Sequence, residues 1–202
     1  MGWLMPNHCS NHLIVTGPSS DLATFCNYGL QKDADNQISS CPDLHYLYPI
    51  PNNVEKDEDL SILSNTEYKW RNDNWDTKWN TYSNEGLAVL RSETSNHLIG
   101  LLCEFETAWS PPIGGIRGGS TRFPTLTFTL EYVELGMAFK GVVVMKDGED
   151  LFEYNEFDCS EEEMESPDYL RLEDGELKDH IELLREEFAT DRLDFVDDGY
   201  MF

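Results

Sequence analysis

His8, Cys9 and His12 put three potential metal ligands within five positions, and zinc accepts such atoms. In an extended segment residues 8 and 12 point one way and residue 9 the other, and no fourth ligand is placed beside them. The spacing therefore predicts no metal site, with Cys9 packing as a small hydrophobe. Trp70, Trp75, Trp79 and Trp109 suggest a stacking pocket, with Lys78 or Arg117 beside it to meet a phosphate. Aromatic clusters more often build a core, so a core is the first reading and a ligand pocket of Trp75, Lys78, Trp79, Trp109 and Arg117 the second. The run from Gly114 to Gly119 has the composition of a phosphate cradle but neither the GxGxxG spacing nor the P-loop lysine, and a mobile surface loop suits it equally. No serine nucleophile elbow or HExxH helix occurs, and Asp147 to Asp150 does not match calcium-loop spacing. These residues predict no catalytic constellation and no cofactor, hence a non-enzymatic protein.

The stronger signal is charge. Twenty-two of the 39 acidic residues lie between Asp147 and Phe202, against four basic ones there, so −18 of the chain's net −25 sits in that quarter. A field of that sign repels nucleic acid, anionic lipid and nucleotide phosphates and steers basic partners inward. Between Glu176 and Phe188 the residues Leu177, Ile181, Leu184 and Phe188 fall at helical spacing and make an apolar stripe. Glu176, Asp179, Glu182 and Glu186 fall on the opposite face. With a rise of about 1.5 Å per residue, those carboxylates recur roughly every 4.5 to 6 Å, the order of the phosphate spacing along a duplex. The aromatic residues interleaved with the acids, such as Phe152, Tyr154, Tyr169 and Phe195, suit an interface rather than pure solvation.

A chain of 202 residues with 40% hydrophobic content and five Trp, nine Tyr and ten Phe is long and apolar enough to fold. The apolar runs are short and no basic region followed by an apolar stretch opens the sequence, which predicts a soluble, cytoplasmic protein. Five widely spaced cysteines without a CxxC pair suit reduced thiols.

Among the elements that must position these residues, His12 to Thr16 predicts a strand, and Ser19 or Ser20 caps a helix running to about Lys32. Residues 31–59 read as an irregular loop and a possible insertion, with a short strand at His45 to Tyr48. A short helix is expected at Asp59 to Trp70, an extended segment at Thr77 to Tyr82 and a strand at Leu98 to Trp109. Alternation from Thr125 to Tyr132 and the β-branched run Ala138 to Met145 predict two more strands, with a turn at Lys146 to Gly148. The division expected is a domain at 1–146 and an acidic, partly helical extension at 147–202.

Four ordered motifs carry a resemblance. MPNHCSNHLIVTG from Met5 to Gly17, NWDTKW from Asn74 to Trp79, FETAWSPP from Phe105 to Pro112, and Phe123, Pro124, Glu131, Tyr132, Glu134, Gly136, Phe139 and Gly141 together resemble the YubB ferredoxin-like domain family of phage and conjugative-plasmid proteins. The resemblance spans Met5 to Val143 and implies an α+β ferredoxin-like sandwich, an antiparallel-rich sheet with helices on one face, and an origin on a mobile element of a bacterial host. It implies no activity. His8 and His12 replace the usual Trp and Arg, Asp76 replaces a Gly, and four glycines between Ile113 and Thr121 make the helix expected there doubtful.

Charge, stripe and resemblance together suggest a protein that occupies the basic, nucleic-acid-facing groove of a host defence nuclease or restriction or CRISPR complex. The residues expected to carry this are Glu161, Glu162, Glu163, Glu176, Asp179, Glu182 and Glu186, with no direct contact to nucleic acid or membrane. Sequestering of a nucleotide by the Trp cluster and glycine run is the second expectation.

Overall fold

Alternate side chains of β1 (His8–Thr16) are sealed: Cys9, Asn11, Leu13 and Val15 are buried on one face, as a period of two dictates for a strand packed on one side. A computed structural model of the chain describes residues 7–56, 66–92 and 95–157, the side chains of residues 84 and 85 excepted. Gly17 turns the chain at φ +149 into α1 (Ser19–Tyr28). The helix cap is Pro18 rather than a serine side chain: its carbonyl accepts from the amides of Asp21 and Leu22, and its ring-fixed φ of −61 with ψ 135 suits the residue just before a helix. Leu22, Phe25 and Cys26 form the buried face of α1, and Phe25 meets Phe123 and Phe128 edge-on at 5.4 Å. The helix stops at Tyr28, short of Lys32, because residues 30–32 turn into a strand.

The stretch expected to be irregular holds a hairpin of β2 (Leu30–Lys32) and β3 (Ile38–Pro42), followed by α2 (Leu44–Leu47) where a strand was expected. Asp43 decides the latter, since its carboxylate accepts from the amide of His45 at 3.1 Å and caps the turn. Helix α3 (Glu67–Trp75) begins at Thr66, whose hydroxyl accepts from the amide of Lys69. The expected start at Asp59 lies outside the described residues.

Strands β4 (Tyr82–Arg91) and β5 (Leu98–Ala108) follow, then α4 (Ile113–Ser120), β6 (Thr127–Glu134), β7 (Phe139–Lys146) and β8 (Glu149–Phe157). The six-stranded sheet runs β4-β5-β1-β6-β7-β8, every neighbour antiparallel. The series β1-α1-β4-β5-α4-β6 with β1 between β5 and β6 is the ferredoxin-like arrangement, extended here by β7 and β8. Residues 149–157, assigned to the acidic extension in the sequence reading, are thus the outer strand of the sheet. The helices share one face of it, over a core that includes Leu13, Phe105, Leu130 and Val143.

The glycine run is a helix and not a mobile loop. Gly114, Gly115, Gly118 and Gly119 recur at i, i+4 spacing and turn a bare backbone face toward α2 and the end of α3. A Cβ on Gly119 would stand 2.7 Å from Leu47 Cβ, and one on Gly118 2.5 Å from the Tyr48 ring. Close approach, with Ile116 fully buried on the other side, offsets the intrinsic cost of about 1 kcal/mol per helical glycine.

Candidate functional site

The three candidate metal ligands do not converge. Cys9 lies under the sheet with its thiol pushed up by burial, while His8 and His12 stand on the opposite face. There His8 Nδ1 meets Glu106 Oε2 at 2.8 Å, and His12 Nε2 lies 3.9 Å from Glu104 Oε1. The register explains this, because Glu106 pairs with Ser10 and Glu104 with His12 across β1 and β5. Tyr82, opposite Glu106 on β4, stacks edge-on against His8 at 5.7 Å, and burial beside Glu106 pushes its hydroxyl up to about 12. These partners were not singled out from sequence; only the period of two on strands not yet paired could have shown them.

The tryptophan set divides into separate places. Trp75 is fully buried, donates from Nε1 to the Tyr48 carbonyl at 2.7 Å, and packs edge-on with Trp70 at 5.8 Å. It is core. Trp79 is 42% exposed, with Lys78 Nζ 4.1 Å above its ring and 5.6 Å from that of Trp109. Desolvation lowers the Lys78 pKa, and the two indoles supply a cation–π environment. Arg117 is elsewhere, on α4, held by two bonds of 2.7 and 2.6 Å to Asp150, which raise its pKa. The five residues of the expected ligand pocket therefore do not share one cavity. Arg117 lines instead a cleft of about 340 Å³ with Tyr48, Asp73, Asp76 and Gly118. Asp73 and Asp76 give that cleft an acidic wall unsuited to a phosphate.

The motif residues are architectural. Asn11 Nδ2 donates to Thr107 Oγ1 at 2.9 Å, Thr107 Oγ1 donates to the Ser110 carbonyl at 2.8 Å, and Ser110 Oγ donates to the Asp76 carbonyl. Asp76, at φ +63, ends α3, and its Oδ2 accepts from Gly114 N at 2.7 Å at the start of α4. The carboxylate that replaces the usual glycine thus caps the next helix, where the helix dipole favours a negative charge. Glu134 closes the β6–β7 turn by accepting from the amides of Gly136 and Met137, and Tyr132 donates to Asn155 of β8 above Gly141.

The acidic residues reach the described structure through β8. Glu149, Asp150, Glu153 and Glu156 lie on this outermost strand, which carries no basic residue, and Glu149, Asp150 and Glu153 are exposed. Lys140, otherwise buried, reaches Glu156 at 3.3 Å from β7. Glu161, Glu162, Glu163, Glu176, Asp179, Glu182, Glu186 and the expected helix from Glu176 to Phe188 lie outside the described residues. Among the described residues no helix is long and apolar enough to cross a membrane.

Residues 74–171, just under half of the chain, match the family model described as the ferredoxin-like domain in Api92-like protein. The match names the Api92-like proteins and does not extend to the YubB name; both describe a ferredoxin-like domain. A crystal structure of a protein api92 from Yersinia pseudotuberculosis is similar at a TM-score of 0.47 and 10% identity, over 75% of this chain and 98% of that one. No curated protein matches the chain.

Proposed function

We propose that the chain is a non-enzymatic binding protein of a phage or plasmid that uses its acidic surface to occupy the nucleic-acid groove of a basic host defence protein. The observation that carries this reading is where the charge lies: −18 of −25 falls after Lys146, beginning with the acidic residues of the outermost strand β8. Carboxylates in that density attract a basic groove over distances of about 8–10 Å at physiological salt, and the aromatics among them add contacts that nucleic acid does not offer. The hydrogen-bonded motif residues bear on this as well, since their side chains are engaged in holding strands and helix ends together.

The test is capture from a lysate of the natural host with the wild-type chain and with the Glu176→Lys, Asp179→Lys, Glu182→Lys, Glu186→Lys variant. The wild type retains a basic nucleic-acid-binding protein that washes off as salt rises, and the variant loses it. Equal retention by both rejects the reading. The second reading, nucleotide binding, has one feature in its favour, the placement of Lys78 against Trp79 and Trp109. A nucleotide at a hundredfold excess over its Kd would stabilise the chain by about 2.7 kcal/mol in a thermal-shift assay.

A further inference from the structure

The cleft beside Arg117 is lined by Tyr48 after α2, Asp73 and Asp76 at the end of α3, Arg117 and Gly118 on α4, and Gly148 in the β7–β8 turn. Its walls are tied together. Gly148 N donates to Ser120 Oγ at 2.8 Å and fixes the turn to α4, while Asp76 Oδ2 accepts from Gly114 N at 2.7 Å and fixes the end of α3 to it. Gly118 adds no side chain, and its backbone packs so closely on Tyr48 that a Cβ would stand 2.5 Å from the ring, the aromatic surface of the cleft. A volume of about 340 Å³ lies at the small end of the ~300–1,000 Å³ usual for ligand pockets.

The lining carries both signs of charge. Asp73 and Asp76 commit Oδ2 to Lys69 and to the Gly114 amide, and Oδ1 of each makes no hydrogen bond among the described residues. From α4, Arg117 donates from Nε and Nη2 to Asp150 at 2.7 and 2.6 Å, and its Nη1 makes no hydrogen bond among the described residues. The bonds to Asp150 raise the Arg117 pKa most and the charge of Asp76 adds to them, so the guanidinium and the Asp76 carboxylate lie within electrostatic reach. A polyanion is repelled by a chain of net charge −25, and a simple cation has 39 carboxylates to choose from, so neither singles out this cleft. A small zwitterion has no net charge to be repelled and uses both signs at once.

We propose that this cleft binds a free α-amino acid, with the ammonium on Asp73 and Asp76, the carboxylate on Arg117 Nη1 and the side chain against Tyr48. Both polar contacts are charge-assisted, and the walls that make them are in place before the amino acid arrives. An aromatic side chain fits the Tyr48 ring best, which makes L-phenylalanine the probe. The site is separate from the acidic surface proposed for the host partner and does not depend on it.

The experiment is an NMR titration of the isotope-labelled full chain with L-phenylalanine, read at the amides of Gly114, Gly118 and Gly148. The expected result is a saturable shift of all three. Phenylpropionate, which lacks the ammonium, and phenethylamine, which lacks the carboxylate, each bind about tenfold or more weakly. Asp73→Asn, at a side chain 53% exposed, weakens phenylalanine by a similar factor while the rest of the spectrum stays in place. Arg117→Gln erases the advantage of phenylalanine over phenethylamine, a preference that a merely structural role for Arg117 would leave intact. No saturable shift at the three glycines, a truncated probe that binds as well as phenylalanine, or wild-type binding by both variants overturns the inference.

Discussion

Gly119→Ala sets two physical effects against each other. Helix preference alone favours the change by up to about 1 kcal/mol. The new methyl would stand 2.7 Å from Leu47 Cβ and 3.3 Å from Leu47 Cγ, well inside the ~3.5–4.0 Å at which carbon atoms pack best. Leu47 is 1% exposed and its Cβ is fixed to the α2 backbone, so no rotamer change relieves the clash; α2 and α4 must separate. Overpacking of this kind costs about 1–3 kcal/mol, which leaves a net loss of roughly 1–2 kcal/mol. For a chain of this size that lowers Tm by about 2–8 °C. Gly115→Ala meets the terminal methyl Leu44 Cδ2 at 2.9 Å, which can rotate away, so its loss is smaller. Urea and thermal unfolding of the two variants measure this. A Gly119→Ala chain as stable as the wild type would refute the claim that the glycines are there for close packing.

Asp76→Ala removes the cap of α4 and leaves an alanine at φ +63, a combined loss of about 2 kcal/mol, whereas Asp76→Gly loses the cap but accepts the backbone freely and falls less in urea unfolding. Trp75→Phe orphans the Tyr48 carbonyl and opens a void, lowering stability by about 2–3 kcal/mol, while Trp79→Phe at its exposed position changes unfolding by less than about 0.5 kcal/mol. Burial raises the thiol pKa of Cys26 to about 11 and moves those of Cys9 and Cys103 upward as well. At pH 8 all three are protonated, so peptide-level mass spectrometry after iodoacetamide finds them modified only in urea.

How far the sequence could be read depended on which interactions were local. Alternation along Thr125 to Tyr132 and the β-branched run to Met145 identified β6 and β7, because a half-buried strand writes its own period. Helix α4 was illegible by propensity: its glycines are explained by Leu47 and Tyr48, some seventy residues earlier, and the i, i+4 spacing was the local trace of that contact. Strand β8 hid behind its acids, although Phe152 and Tyr154 mark one face of it. A short strand was expected at His45 to Tyr48, and the Asp43 cap makes a helical turn there instead. Of the candidate residues, Cys9 packs in the core as its spacing implied. The separation of Arg117 from Trp75 and Trp79 required the tertiary fold, since residues some forty positions apart carry no shared local signal, and Trp75 and Trp79 part because α3 ends at Asp76 between them.

The most direct measurement is competition. A complex captured from host lysate on the immobilised full chain is challenged with duplex DNA at constant ionic strength. If carboxylates stand where phosphates bind, the duplex releases the partner in proportion to its concentration, and the freed partner then binds the duplex. If saturating duplex leaves the complex intact, the partner uses a surface other than its nucleic-acid groove, and the mimicry account is wrong.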